Sequence, residues 1–200
     1  MSEILQRFYA PSEQLLVIEQ SHRTARNKGW WKMEGGKAVV EDMHEKAVLI
    51  VSELAEAFED YRNPKRDIKV IYALGSAGEE PWEKKHMSMD PMPKPDGFPI
   101  EMADAYIRIA DLAGALEVET LEEILVHTDG RERSMGKIIY DIMECVFKIE
   151  NFDTHEDWFG SLFAGIEGAC RELGVDLRLA INLKAAYNET RPHRHGGKKA

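Results

Sequence analysis

Apolar residues recur along most of this chain at spacings of three and four, the signature of helices that turn one face to a core. A first helix is predicted from about Ser12, with Ser as N-cap and Glu13 in the first turn, to a stop at Gly29. The loop GWWKMEGGK, with its two adjacent tryptophans, follows. A second helix covers EDMHEKAVLIVSELAEAFEDYR and is ended by Asn63-Pro64. Within it Ala47, Val51, Leu54, Phe58 and Tyr61 form the expected core stripe, while Glu53, Glu56 and Asp60 fall on another face with Leu49 and Ala57. Residues 63–97 carry prolines, glycines and mixed charge with no sustained period, and read as a long loop. A third helix runs from about Pro99 to Glu117. Two amphipathic segments come next, SMGKIIYDIMECVFKIE and HEDWFGSLFAGIEGACRELG, the second closed by Gly174. A last helix spans about Asp176 to Glu189, and a basic Gly-Gly tail covers residues 190–200. The expected fold is all-α, a bundle of about six helices in a single domain over residues 1–200.

The third helix poses a problem of charge. Ile100, Met102, Ala103, Tyr106, Ile107, Ile109, Ala110, Ala113 and Leu116 cover most of its circumference, leaving Glu101, Asp104, Arg108 and Asp111 along one narrow strip. A helix apolar on nearly every side belongs inside a bundle, where charge is costly unless paired or bound to metal. Glu101 and Asp104 stand at i, i+3, side by side on one face, and Glu53 and Glu56 repeat that spacing on the second helix. Two such pairs on packed antiparallel helices bring four carboxylates around one point, which is stable only with cations between them. Hard oxygen ligands select Mg²⁺, Mn²⁺ or Ca²⁺. Mg²⁺ keeps waters and takes further ligands from substrate phosphates, which points to phosphate-ester or phosphoanhydride chemistry. On this reading Arg108 braces Asp104 or Asp111 from behind the ligands.

Composition narrows the field further. At 44% hydrophobic and 31% charged the chain has the make-up of an ordinary soluble domain, with no apolar run near the ~20 residues a bilayer requires. MSEILQRFYAPSEQ lacks the basic start and apolar stretch of a signal peptide. Cys145 and Cys170 lie inside helical patterns and form no C-x-x-C pair, so buried free thiols in a reducing, cytoplasmic compartment are expected. The formal charge of −10 argues against a binder of nucleic-acid polymers, which needs a basic footprint. What positive charge exists is concentrated in RPHRHGGKKA.

SELAEAFEDYR followed by PIEMADAYIRIADLAG resembles the MazG-like all-α nucleoside triphosphate pyrophosphohydrolases, whose signature is E-x-x-E on one helix and E-x-x-D on the next. The matching positions are Glu53, Glu56, Glu101 and Asp104. HRTARNKGWWK is similar to the helix and aromatic loop that precede this motif in phage-type members, and KAAYNETRPHRHGGKK to their C-terminal signature. The resemblance covers roughly half the chain and implies that the four carboxylates bind Mg²⁺, with Mn²⁺ as a substitute. The ion would hold a nucleoside triphosphate and help activate water for hydrolysis between the α- and β-phosphates. It implies a homo-oligomer, dimer or tetramer, and contacts to phosphate or sugar from Lys184, Asn188 and Arg191. Those residue types suit the task independently: lysine is a point charge, arginine a fork, and asparagine both donates and accepts. The gap between Glu56 and Glu101 is longer than the family's short loop, and residues 119–175 insert two helices.

Other residues carry weaker signals. Trp30 and Trp31 could stack on a nucleobase or plug the core. Glu41-x-x-His44 has di-iron spacing, but no second E-x-x-H follows, so a surface histidine is the expectation and a di-metal oxidoreductase the weakest alternative. His193 and His195 belong either to a disordered basic tail or to a cationic one that captures triphosphate. Lys65, Arg66 and Lys69 in the long loop read as solvated charge in preference to a second phosphate contact. No nucleophile elbow, P-loop or zinc cluster is present, which favours direct attack by metal-activated water with Glu53 or Glu56 as base. The competing expectation is a catalytically silent nucleotide-binding or interaction protein on the same scaffold.

Overall fold

In the computed structural model, which describes residues 9–75, 78–121, 134–148 and 154–194, the body is a helical bundle. Its six helices among those residues are α1 (Pro11–Asn27), α2 (Met43–Arg62), α3 (Phe98–Ala115), α4 (Met135–Val146), α5 (His155–Glu172) and α6 (Leu177–Thr190). The helix ends follow local chemistry. The N-cap of α1 is Ala10 rather than the expected Ser12, because Pro11 takes the first helical position, and Glu13 reaches back to the Ala10 N–H at 2.7 Å. Asp42 caps α2 by accepting from the N–H groups of His44 and Glu45 at 2.8 and 3.2 Å. Ser134, Thr154 and Asp176 cap α4, α5 and α6 in the same way.

α3 is the hub, packed against α1, α2, α5 and α6. Thirteen of its eighteen residues are buried, which is why it is apolar all round. Tyr106 lies fully inside, its ring centroid 4.6 Å from that of Phe163 and 5.8 Å from that of Tyr9; such pairs are worth about 0.5–1.5 kcal/mol each beyond their area. Its hydroxyl donates to Glu167 at 2.9 Å, and Gln14 Nε2 donates to the same oxygen at 2.7 Å. Glu167 is thereby held deep in the core between α1, α3 and α5. α1 approaches α3 so closely at Gly114 that a Cβ there would stand 2.5 Å from that of His22. Cys145 and Cys170 are free thiols on α4 and α5; burial pushes Cys145 up to about 11 and Cys170 higher still.

Two expectations need correcting. The buried face of α2 is Ala47, Ile50, Glu53, Leu54 and Ala57, rotated from the predicted stripe. Val51 and Phe58 are half-buried and Tyr61 is exposed. α2 packs against both α3 and α4, so the arc facing α3 is set by two neighbours, and it takes Glu53 inside.

Nor is the 63–97 segment a bare loop. Besides the hairpin of β1 (Met33–Glu34) and β2 (Lys37–Ala38), the chain forms a three-stranded antiparallel sheet. Its strands are β3 (Tyr72–Leu74), β4 (Glu80–Pro81) and β5 (Lys94–Asp96), in the order β4-β3-β5. The register pairs Tyr72 with Asp96, Ala73 with Pro95 and Leu74 with Lys94. Strands of two or three residues are too short to show alternation. Pro95, which has no N–H, is tolerated because β5 is an edge strand.

Arg66 fastens the segment. Its guanidinium, 8% exposed, donates to Asp60 at 2.6 Å, Asp96 at 2.7 Å and Glu79 at 2.8 Å. It is therefore an internal cross-link rather than solvated charge. β5 then turns through Gly97 (φ 107°), where a Cβ would come within 3.0 Å of the Val70 carbonyl oxygen, and runs straight into α3.

Candidate metal centre and adjoining cavity

Glu53 and Glu56 on α2 meet Glu101 in the first turn of α3. One carboxylate oxygen of each lies within 4.8 Å of the others, close enough to share an ion. Glu53 and Glu101 are buried and Glu56 is exposed, so the cluster opens from core to rim. Burial, reinforced by the neighbouring Asp104, pushes Glu101 up to about 8 against the opposing pull of Lys184 and Lys94. A carboxyl held protonated at neutral pH beside other carboxylates marks a place where added positive charge would be favourable.

The fourth predicted ligand sits differently. Asp104 is ion-paired with Lys184 of α6, and both side chains are largely buried. Burial nevertheless raises its pKa, since desolvation outweighs the lysine. Arg108 departs from its expected role. It neither braces Asp104 directly nor touches Asp111, but crosses to α2, where Nε donates to Glu53 Oε1 at 2.6 Å with a second guanidinium nitrogen at 2.5 Å. Arg108 shares a helix strip with Asp104, but Lys184 already holds that carboxylate and the fork finds Glu53 on the facing helix. Asp111 instead accepts from His22 Nδ1 at 2.9 Å and from Trp31 Nε1 at 2.7 Å, one full helical segment away from the carboxylate cluster.

A cavity of about 710 Å³ runs between α1, α2, α3 and α6, within the range of small-molecule sites. Glu53, Glu56 and Asp104 line its acidic side, whereas Trp30, Trp31 and Asp111 line another part of its wall. Trp31 is both things its sequence allowed: buried at 6% exposure, yet part of the cavity wall, with the Lys46 ammonium 4.4 Å from its ring centroid. Trp30 is half-buried, packed on the core and likewise in the wall. Lys184, Asn188 and Arg191 all line the cavity. Asn188 Oδ1 is buried there without a hydrogen-bond partner among the described residues.

The start of the tail is docked. Lys28 Nζ donates to the carbonyls of Glu189 and Arg191 at 2.7 and 2.5 Å, and Arg194 donates through N and Nε to the carbonyls of Lys28 and Gly29 at 2.9 and 2.8 Å. The His193 ring lies against Gly29, where any Cβ would stand 2.0 Å from Nε2. Cations at the carbonyl end of α1 are favourably placed. His195, Lys198 and Lys199 lie outside the described residues. His44, with its side chain 95% exposed, is a surface residue, so Glu41-x-x-His44 is no metal motif here.

Three participants were missed by sequence reasoning. His22 showed no periodic anomaly, and Lys94 lay in the segment read as loop. Glu167 did leave a sign, a lone acid within FAGIEGAC on an otherwise apolar face. No helix among the described residues is long and apolar enough to cross a membrane. No protein-family model, curated protein or solved structure matches the chain, so the family resemblance stands on its motif residues alone.

Proposed function

We propose that this protein is a Mg²⁺-dependent nucleoside triphosphate pyrophosphohydrolase. It would cleave between the α- and β-phosphates to give nucleoside monophosphate and pyrophosphate, in nucleotide-pool control or sanitation. The observation that carries this reading is the meeting of Glu53, Glu56 and Glu101 within 4.8 Å beside a cavity that also presents Lys184, Asn188 and Arg191. The donor set fits the ion, since it offers carboxylate oxygens from two rigid helices and no sulfur or imidazole. Mg²⁺ would be held by Glu53, Glu56 and Glu101, with Asp104 beside them, and when bound it polarises phosphate oxygens and lowers the pKa of bound water.

The chain's own residues supply the rest. Glu56, at the exposed rim, accepts the proton of the attacking water as the new oxygen bond to the α-phosphorus forms. The bond from that phosphorus to the α–β bridging oxygen breaks, and its electron pair leaves on pyrophosphate. Glu53, clamped by Arg108, is the fixed wall of the site rather than its mobile base. Arg191 and Lys184 provide charge for the phosphates, and the Asn188 amide offers a polar contact for the sugar. Trp30 offers an aromatic face to the base.

The test is pyrophosphate release from a panel of ribo-, deoxyribo- and modified triphosphates with Mg²⁺ or Mn²⁺. At least one substrate should be turned over, and Glu101→Gln or Asp104→Asn should reduce the rate by about a hundredfold or more with helix content intact. Wild-type rates in those variants would overturn the site. A catalytically silent nucleotide-binding protein is the rival reading. It is favoured by the ion pairs Glu53–Arg108 and Asp104–Lys184, which neutralise two of the four carboxylates internally. Calorimetric binding of triphosphate with no product under any divalent ion would decide for it.

A further inference from the structure

We infer that Lys94 is a polyphosphate-binding residue of this cavity, delivered to it by the small β-sheet of the 63–97 segment. The inference rests on the nucleotide reading above and extends it to a part of the chain that had no assigned role. The delivery can be followed bond by bond. Arg66 anchors the segment to the C-terminal end of α2 through Asp60 and grips one oxygen of Asp96 at 2.7 Å. The other oxygen of Asp96 accepts from Lys94 Nζ at 3.2 Å. β5 itself is held by β3 on one side and packs against α3 and α6, the helices that carry Asp104 and Lys184. Lys94 is thus braced on a strand rather than a loop, and its side chain lines the cavity together with Asp104 and Lys184.

The position suits an anion whose own charge is carried partly by cations bound to carboxylates. Burial works against the Lys94 ammonium, but Asp96, Glu101 and Asp104 outweigh it and hold its pKa above the ordinary lysine value, so the charge is present throughout the neutral range. Its side chain remains 44% exposed, which leaves the ammonium accessible from the cavity. Lys184 is held against Asp104 in a largely buried pair, whereas Lys94 shares its carboxylate with Arg66 and is the more exposed of the two ammonium groups. A compact ammonium of this kind meets phosphate oxygens as a point charge. The competing role is structural, a counter-charge that only lowers repulsion within the acidic cluster. The two roles part experimentally, because a counter-charge changes stability without changing anion affinity.

Isothermal calorimetry with inorganic tripolyphosphate and Mg²⁺ separates them, using wild type, Lys94→Met, Lys94→Gln and Lys94→Arg, with thermal midpoints measured alongside. We expect the two neutral variants to weaken tripolyphosphate binding about tenfold, and Lys94→Arg to restore most of it. Lys94→Gln keeps a polar stem if the methionine variant fails to fold. Wild-type affinity in both neutral variants, with or without a lowered thermal midpoint, would overturn the role of Lys94 and leave the nucleotide reading standing. Absence of tripolyphosphate binding by the wild type itself would instead remove the nucleotide reading, and this inference with it.

Discussion

Two clusters of three carboxylates lie about two turns apart along α2, and the protein treats them in opposite ways. Asp60, Glu79 and Asp96 surround Arg66, which donates to all three within 2.8 Å. Glu53, Glu56 and Glu101 gather within 4.8 Å of one another, but Arg108 engages Glu53 from one side and Glu101 is left protonated up to about pH 8. In the first cluster the neutralising cation is covalently part of the chain, and the result is a cross-link that turns a Pro- and Gly-rich segment into a sheet. In the second, the compensation is incomplete, and the group that bears the cost sits against Glu53 and Glu56, which line the cavity. A permanent guanidinium builds structure. An uncompensated acid beside a void is what an exchangeable cation requires.

That contrast can be broken most forcefully at Arg66. Arg66→Met leaves three carboxylates without their common partner and should cost about 4 kcal/mol, read as a lowered urea midpoint, whether or not divalent ions are present. If Mg²⁺ rescued this variant fully, the two clusters would be equivalent and the distinction false.

The second effect is pH-dependent and confined to the other cluster. In the fold Glu101 keeps its proton up to about pH 8, whereas in the unfolded chain it ionises near 4.5. Between those values the native state binds the extra proton, so stability without divalent ions should fall as pH rises from about 4.5 to about 8, then level off. The loss is on the order of a few kcal/mol. Denaturation curves in chelator across that range should show it. Mg²⁺ should offset the decline, and Glu101→Gln should flatten it.

The smallest effect serves as the control. His44→Ala, at a fully solvated side chain, should shift stability by less than about 0.5 kcal/mol and leave pyrophosphate release unchanged. A large loss there would mean that His44 does more than sit exposed in the first turn of α2.

The helices were legible because each is long enough for its period to repeat. α5 ends just before Gly174 and α6 within a residue of the expected Glu189, and α3 betrays its central place by being apolar on almost every side. The paired acids were legible for the same reason, since i, i+3 spacing places Glu101 beside Asp104 on any helix. Partnerships were not. Arg108 shares a strip with Asp104 yet binds Glu53, because the rotation of α2 against α3 decides which carboxylate its fork can reach. Glu53 was placed off the core stripe, on a second face with Leu49 and Ala57, and is part of the buried face itself, because α2 has two neighbours and the sequence shows one stripe. Lys94 was invisible for a third reason: a strand reading Lys-Pro-Asp has no β propensity of its own and exists because Tyr72 and Arg66 hold it in register.

Sequence by itself determined the six helices and the supply of acids and cations, since these depend on neighbours within one or two turns and on local hydrogen bonds. Tertiary structure alone decided which charges meet. It put three glutamates from two helices at one point, assigned Lys184 to Asp104 and Arg66 to a sheet, and brought Lys94 to the cavity wall. The physical reason is range: helix propensity is summed over adjacent residues, whereas an ion pair is worth having only at contact distance, and contact between residues forty positions apart is set by how whole helices pack.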